Sequence, residues 1–286
     1  MIEHMTRSRQ FVQCDVFTDT PTRGNALAVV LDGTGLCDET MHAFAAWTNL
    51  AETTFLVPAE DPSADYRLRI FTPKREMPFA GHPTLGSCAA WRHVGGIPKT
   101  PGIVRQECGV GIVEIKIDGE VPAFVAPPTK IQTMEPAELE EIATKLGIEL
   151  RNVLATAVLD NGPVWKAIEL SSAADVLKVD SSKVRWPDEK GIGLIGAHPE
   201  NSECAYEVRM LAPSSGMGED PITGSLNSAL AHWFSSRKQL PESMIVAQGT
   251  NIGRIGRVYV SRDTNNNGCV LIGGHTHILI EGTVQL

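Results

Sequence analysis

The chain has no run of about 18 apolar residues, so no membrane-spanning helix is predicted. Its polar, basic N-terminus lacks the apolar stretch of a signal peptide. Met5 is a candidate natural start, and a reducing cytoplasm is the expected compartment. The six cysteines, Cys14, Cys37, Cys88, Cys108, Cys204 and Cys269, form no CxxC pair and no Cys/His cluster at zinc spacing. Neither metal nor cofactor is called for. No GxSxG and no P-loop occurs, which removes the sequence signals of a nucleophile elbow and of a nucleotide-phosphate cradle. Positive charge is in short supply: 25 Lys and Arg face 34 Asp and Glu, a net charge of −9. Nucleic acid and anionic membranes need a basic surface and are poor partners for such a chain. A small anionic substrate stays open, because a local site can oppose the global charge.

What is present is 286 residues of ordinary globular composition, 42% hydrophobic and 21% charged, enough for two lobes. Short apolar and alternating runs predict many strands, among them FVQCDVF, ALAVVL, Thr53 to Val57, Tyr66 to Phe71 and Val164 to Leu170. Asp38 is the candidate N-cap of a first helix. Two longer helices are predicted to open near Pro83 and at Pro221. The proline-rich stretch APPTKIQTMEP is the best linker. It gives lobes at 9–127 and 128–286, with the final strand free to return to the first. The fold class is α+β.

The two long helices open alike. RIFTP precedes MPFAGHPTLGS, and RMLAP precedes GMGEDPITGS, each with a Trp further on. Aligning His82-Pro83-x-x-Gly86-Ser87 with Asp220-Pro221-x-x-Gly224-Ser225, each after a strand ending in Pro73 or Pro213, predicts a duplication. Proline suits a first helical position, which puts His82 and Asp220 at the N-caps. Paired helix mouths around Gly81 and Gly224–Ser225 would offer N–H groups and positive dipole ends to a carboxylate. A single such element is more simply a capped helix start.

Glu52 in NLAETTF is the candidate proton shuttle. It stands at a helix–strand junction among small, apolar or neutral residues, with no basic neighbour in sequence. Partial desolvation favours the neutral form of a carboxyl group and suits acid–base work. An exposed carboxylate is the plainer alternative. Asp220 is either a cap or an acceptor for a substrate amine or hydroxyl. His82 is a donor, a general acid or a structural tie. Ser225 either orients a ligand or bonds back to its own helix.

Taken together, CDVFTDTPTRGNALAVV, NLAETTF, RIFTPKREMPFAGHPTLGS, GEDPITGS, QGTNIGRIG and VLIGGH resemble, in order, the motif series of the PhzF family of phenazine-biosynthesis-like proteins. The resemblance runs from about Val12 to Gly282. It implies the diaminopimelate-epimerase fold, with two pseudo-symmetric lobes, each a curved mixed sheet around a central helix, and the site between them. It implies a cofactor-free and metal-free isomerase of the trans-2,3-dihydro-3-hydroxyanthranilate type, often a homodimer, acting on a small carboxylate. Glu52 takes the catalytic position, and Gly81, His82, Asp220 and Ser225 the ligand-contacting ones. Three positions depart from the usual motifs: Ala51 replaces a serine, Ala26 and Ile255 each a proline. An amino-acid-type racemase or epimerase, or a non-catalytic metabolite-binding protein on the same fold, are the alternatives. Two-thiol epimerase chemistry is disfavoured, because Ala80 and Gly218–Glu219 stand where cysteines would be needed.

Overall fold

The computed structural model describes residues 6–182, 190–212, 218–263 and 268–286. Met5 and the Pro213 of the repeat lie outside them. The chain divides into two compact units, Met1–Val125 with Gly274–Leu286, and Ala126–Gly273. The linker reading placed the division two residues later and left the last strand open; that strand belongs to the first unit.

The first unit runs β1 (Ser8–Val16), β2 (Asn25–Val30), α1 (Asp38–Thr48), β3 (Glu52–Val57), β4 (Tyr66–Phe71), β5 (Glu76–Met77), α2 (Gly81–His93), β6 (Ile103–Cys108), β7 (Gly111–Lys116) and β8 (Ala123–Val125). The second runs β9 (Lys130–Gln132), α3 (Pro136–Leu146), β10 (Val153–Asp160), β11 (Val164–Leu170), α4 (Ala173–Lys178), β12 (Gly191–Ala197), β13 (Tyr206–Leu211), β14 (Glu219–Asp220), α5 (Gly224–Ser236), β15 (Ser243–Gln248), β16 (Gly256–Asp263) and β17 (Cys269–Gly273). The closing β18 (Thr276–Gln285) pairs antiparallel with β1 along its length.

The two lists share one plan. A hairpin (β1/β2, β10/β11) leads through a helix (α1, α4) to a parallel neighbour (β3, β12). That strand turns back as β4 or β13, which carries a two-residue strand (β5, β14). The central helix then crosses to a second parallel neighbour (β6, β15), followed by two antiparallel strands. Even the added edge strand recurs: β18 flanks β1 and β9 flanks β10. Parallel neighbours need a crossover, which α1 and α2 supply in the first unit and α4 and α5 in the second.

The central helices are core elements. Nine of thirteen residues of α2 and ten of thirteen of α5 are buried. Close approach is secured by glycine in opposite ways. A Cβ on Gly86 of α2 would come within 2.6 Å of Leu27, whereas in the second unit the strand supplies the glycine: a Cβ on Gly193 would lie 2.6 Å from Leu226 of α5. Gly193 belongs to Gly191–Gly196, which has the G-x-G-x-x-G spacing of a dinucleotide loop. The segment is the interior of β12 rather than a turn opening a helix, so it cradles no phosphate. Outer faces are covered separately. Met41 and Ala45 of α1 pack on Val30, Phe55 and Phe71, and Ile142 and Leu146 join Ile168 and Leu194 in the second unit.

Candidate active site

Each central helix begins where a short strand has just ended, and both starts differ from the sequence expectation. α2 opens at Gly81 with Ala80 as its N-cap, so His82 is the second helical residue and not a cap. α5 opens at Gly224 with Thr223 as its N-cap; Asp220 sits on β14 and Pro221 outside the helix. Asp38, likewise, is the first helical residue of α1 behind Cys37. The repeat therefore has a different register. Gly81 matches Gly224, His82 matches Ser225, and Met77, paired with Ile70, matches Asp220, paired with Met210. Asp220 has no charged counterpart in the first unit.

An Arg–carboxylate fork braces each helix start. Arg69 of β4 grips Glu76 of β5 through two nitrogens at 2.8 and 2.6 Å, and Arg209 of β13 grips Glu219 of β14 at 3.0 and 2.7 Å. A glutamine from the next parallel strand completes the brace. Gln106 donates to the Thr84 hydroxyl at 3.1 Å. Gln248 donates to the Thr223 hydroxyl at 3.0 Å and accepts from the Thr223 N–H and the Asn227 amide at 3.1 and 2.8 Å. An asparagine from the first hairpin reaches the second residue of each helix. Asn25 lies 3.3 Å from His82 Nδ1, and Asn161 donates to the Ser225 carbonyl at 2.8 Å. Arg69, Glu76, Arg209, Glu219, Gln248 and Asn25 stand in the quoted motifs without a role at these helix starts assigned from sequence, and Gln106 and Asn161 stand in none of them.

Among the described α-helices, α2 and α5 alone carry no acid in the first turn; α1, α3 and α4 each have one or two. Neither has a side-chain cap bond. First-turn N–H groups have no partner inside their helix, and the dipole adds positive potential there. Each mouth instead has an acid brought by a strand. In the second unit the Thr223 hydroxyl donates to the Asp220 carboxylate, which is 7% exposed. In the first, Glu52 opens β3, and one of its oxygens lies 3.3 Å from His82 Nε2.

His82 is 3% exposed, and burial pushes its imidazole down to about 3. The ring is therefore neutral at physiological pH, and its contact with Glu52 is carboxylate to neutral imidazole rather than an ion pair. The Glu52 side chain is 16% exposed, which keeps it partly desolvated yet reachable. Burial pushes the Cys88 thiol, inside α2, up to about 12, so it offers no competing base. No group of three potential metal ligands is gathered among the described residues. A surface hollow of about 330 Å3 beside Gly33, Met41 and Arg69 holds none of the candidate site residues.

A family model described as phenazine biosynthesis-like protein, PhzC-PhzF, matches residues 14–282. The chain belongs to this family. It is 37% identical to Antisense-enhancing sequence 1 of Schizosaccharomyces pombe, over 99% of each chain. It is 31% identical to the trans-2,3-dihydro-3-hydroxyanthranilate isomerase of Pseudomonas aeruginosa, over 97% of this chain and 99% of that one. Among solved structures, a PhzF-family protein of Bacillus anthracis superposes with a TM-score of 0.81 at 24% identity, covering 98% of this chain and all of that one. A hydroxyproline epimerase of Agrobacterium vitis shares the fold, with a TM-score of 0.64 at 12% identity over 98% and 93% of the two chains. The expected α+β fold of the diaminopimelate-epimerase superfamily is thus the observed one, and the chain is a PhzF-like isomerase. No helix among the described residues is long and apolar enough to cross a membrane.

Proposed function

We propose that this PhzF-family chain moves a proton within a small unsaturated or amino-bearing carboxylate, with Glu52 as the shuttle. The observation that carries the reading is the Glu52 carboxylate 3.3 Å from a buried, neutral His82 at a helix mouth without acids of its own. Ionised Glu52 takes a proton from an activated carbon and, now neutral, returns it to another carbon on the same face of a conjugated system. The first-turn N–H groups at Gly81, and those at Gly224–Ser225 in the second unit, are each suited to a substrate carboxylate and to the charge that develops during transfer. His82 and Asp220 are each suited to amino or hydroxyl groups. General acid–base action supplies about 10²–10⁴-fold, and positioning supplies the rest. Dihydro-hydroxyanthranilate, the substrate named for the Pseudomonas aeruginosa relative, is the first compound to try. No step needs a metal or cofactor. The family resemblance and six free thiols support a cytoplasmic enzyme. The resemblance also supports a homodimer.

The test is a thermal-shift screen of small carboxylates, followed by NMR of each stabilising compound in D2O with enzyme. The reading expects a hit whose double bond or proton moves between carbons. Deuterium wash-in at one stereocentre without bond migration would favour an epimerase instead. Stabilising ligands that all return unchanged would leave a binding protein.

A further inference from the structure

Asn25 and Asn161 flank the turn of the first hairpin in their units, Asn25 at its end as the first residue of β2 and Asn161 at its start just after β10. Each reaches the second residue of the central helix. The orientation of Asn161 is settled by its neighbour. The Trp165 indole, which can only donate, bonds the Asn161 oxygen at 3.1 Å. The amide nitrogen is left to donate to the Ser225 carbonyl. Asn25, 2% exposed, meets a ring nitrogen that could take either role. The far side of the ring decides. His82 Nε2 lies 3.3 Å from a Glu52 oxygen. A lone pair on Nε2 would face the lone pairs of an ionised carboxylate, whereas a proton there is attracted to it. A neutral imidazole with hydrogen on Nε2 has its lone pair on Nδ1, and Nδ1 must then accept from the Asn25 amide.

We propose that Asn25 is a positioning residue: its amide donates to His82 Nδ1, fixes the Nε2–H tautomer, and so aims a neutral donor at Glu52 and the substrate atom beside it. Nε2 makes no well-formed hydrogen bond among the described residues. A buried donor of this kind strengthens whichever acceptor settles against it, because little solvent competes. During transfer it would steady Glu52 as an anion and turn to a substrate oxygen once Glu52 holds the proton. In this role Asn25 acts through the ring. This role rests on the proposed shuttle, but the tautomer is measurable without turnover.

The experiment is nitrogen NMR of protein labelled with 15N-histidine, with the His82 signals assigned by their loss in His82→Gln. The expected wild-type spectrum is that of the neutral Nε2–H tautomer. Asn25→Asp presents an acceptor in place of the donor and should move the proton to Nδ1 or charge the ring. Asn25→Ala, a fallback should the Asp variant fail to fold, should give a mixture of tautomers. In the same variant kcat should fall about tenfold or more, and by a larger factor than KM rises, since the aimed donor serves chiefly the charge that develops during transfer. A wild-type Nδ1–H tautomer, or His82 signals unmoved in both variants, would overturn the assignment. An intact Nε2–H tautomer alongside a fully active Glu52→Gln would reject the shuttle and keep the tautomer assignment.

Discussion

The two units share a scaffold and differ in what they place on it. Both have the hairpin, the two parallel crossovers, the Arg–Glu fork, the bracing glutamine and the asparagine on the second helical residue. The first unit then adds Glu52 and His82. The second has Asp220 and Ser225, and its β12, in the place of β3, carries no ionisable side chain. A scaffold that holds a helix mouth in place can thus be copied whole, while the groups proposed to move the proton are fitted to one copy only. The second copy keeps the groups proposed for binding.

The forks give the largest expected difference between the units. Arg209 and Glu219 are 3% and 6% exposed in their side chains, and Arg209 also donates to the Val176 and Val179 carbonyls at 3.0 and 2.6 Å. Arg69 and Glu76 are 18% and 43% exposed. Glu219→Ala leaves a buried guanidinium without its carboxylate and should cost about 3–5 kcal/mol. Glu76→Ala should cost about 1 kcal/mol or less, since Asp38 remains beside Arg69. Urea unfolding of both variants checks the contrast, and equal losses would break it.

Acid should act next, and through the first unit. The folded His82 value of about 3 lies below its ordinary 6.5. Between these values the unfolded chain binds the proton and the folded one does not. Stability therefore falls as pH drops from about 6.5 toward 3, by at most about 1.4 kcal/mol per pH unit from this group. His82→Gln should flatten that slope, whatever it costs at neutral pH. An unchanged slope would mean that the ring is not buried neutral.

A smaller effect should come from Asn161→Ala. It removes a buried hydrogen bond to Ser225 and leaves the Trp165 N–H unmatched, at about 1–3 kcal/mol. If Ser225 serves binding, KM should rise more than kcat falls. The reverse pattern would place chemistry in the second unit.

Much of this was legible in the sequence. Val164 to Leu170 reads as a strand and is one, and the motif order leads to the family. The register of the repeat was not legible, and the reason is one loop. The fork spans seven residues from Arg69 to Glu76 but ten from Arg209 to Glu219. Matching the Pro-x-x-Gly-Ser strings slid Asp220 onto His82, because chance similarity of short strings outweighed the fork, which only pairing reveals. Asn25 read as a turn former, since asparagine is common in turns. Its signal was positional: an asparagine flanks the turn of the first hairpin in each half, Asn25 at its end and Asn161 at its start. Gln106 and Gln248 gave another signal, an uncharged polar residue in an apolar strand, and both are fully buried.

The account stands or falls on the carboxyl group at the start of β3. Turnover and ligand binding by Glu52→Gln, measured on one preparation with a carboxylate hit that the wild type converts, test it most directly. The variant should bind within a few-fold of wild type and turn over about 10²–10⁴ times more slowly. Full turnover with that side chain neutralised would contradict it.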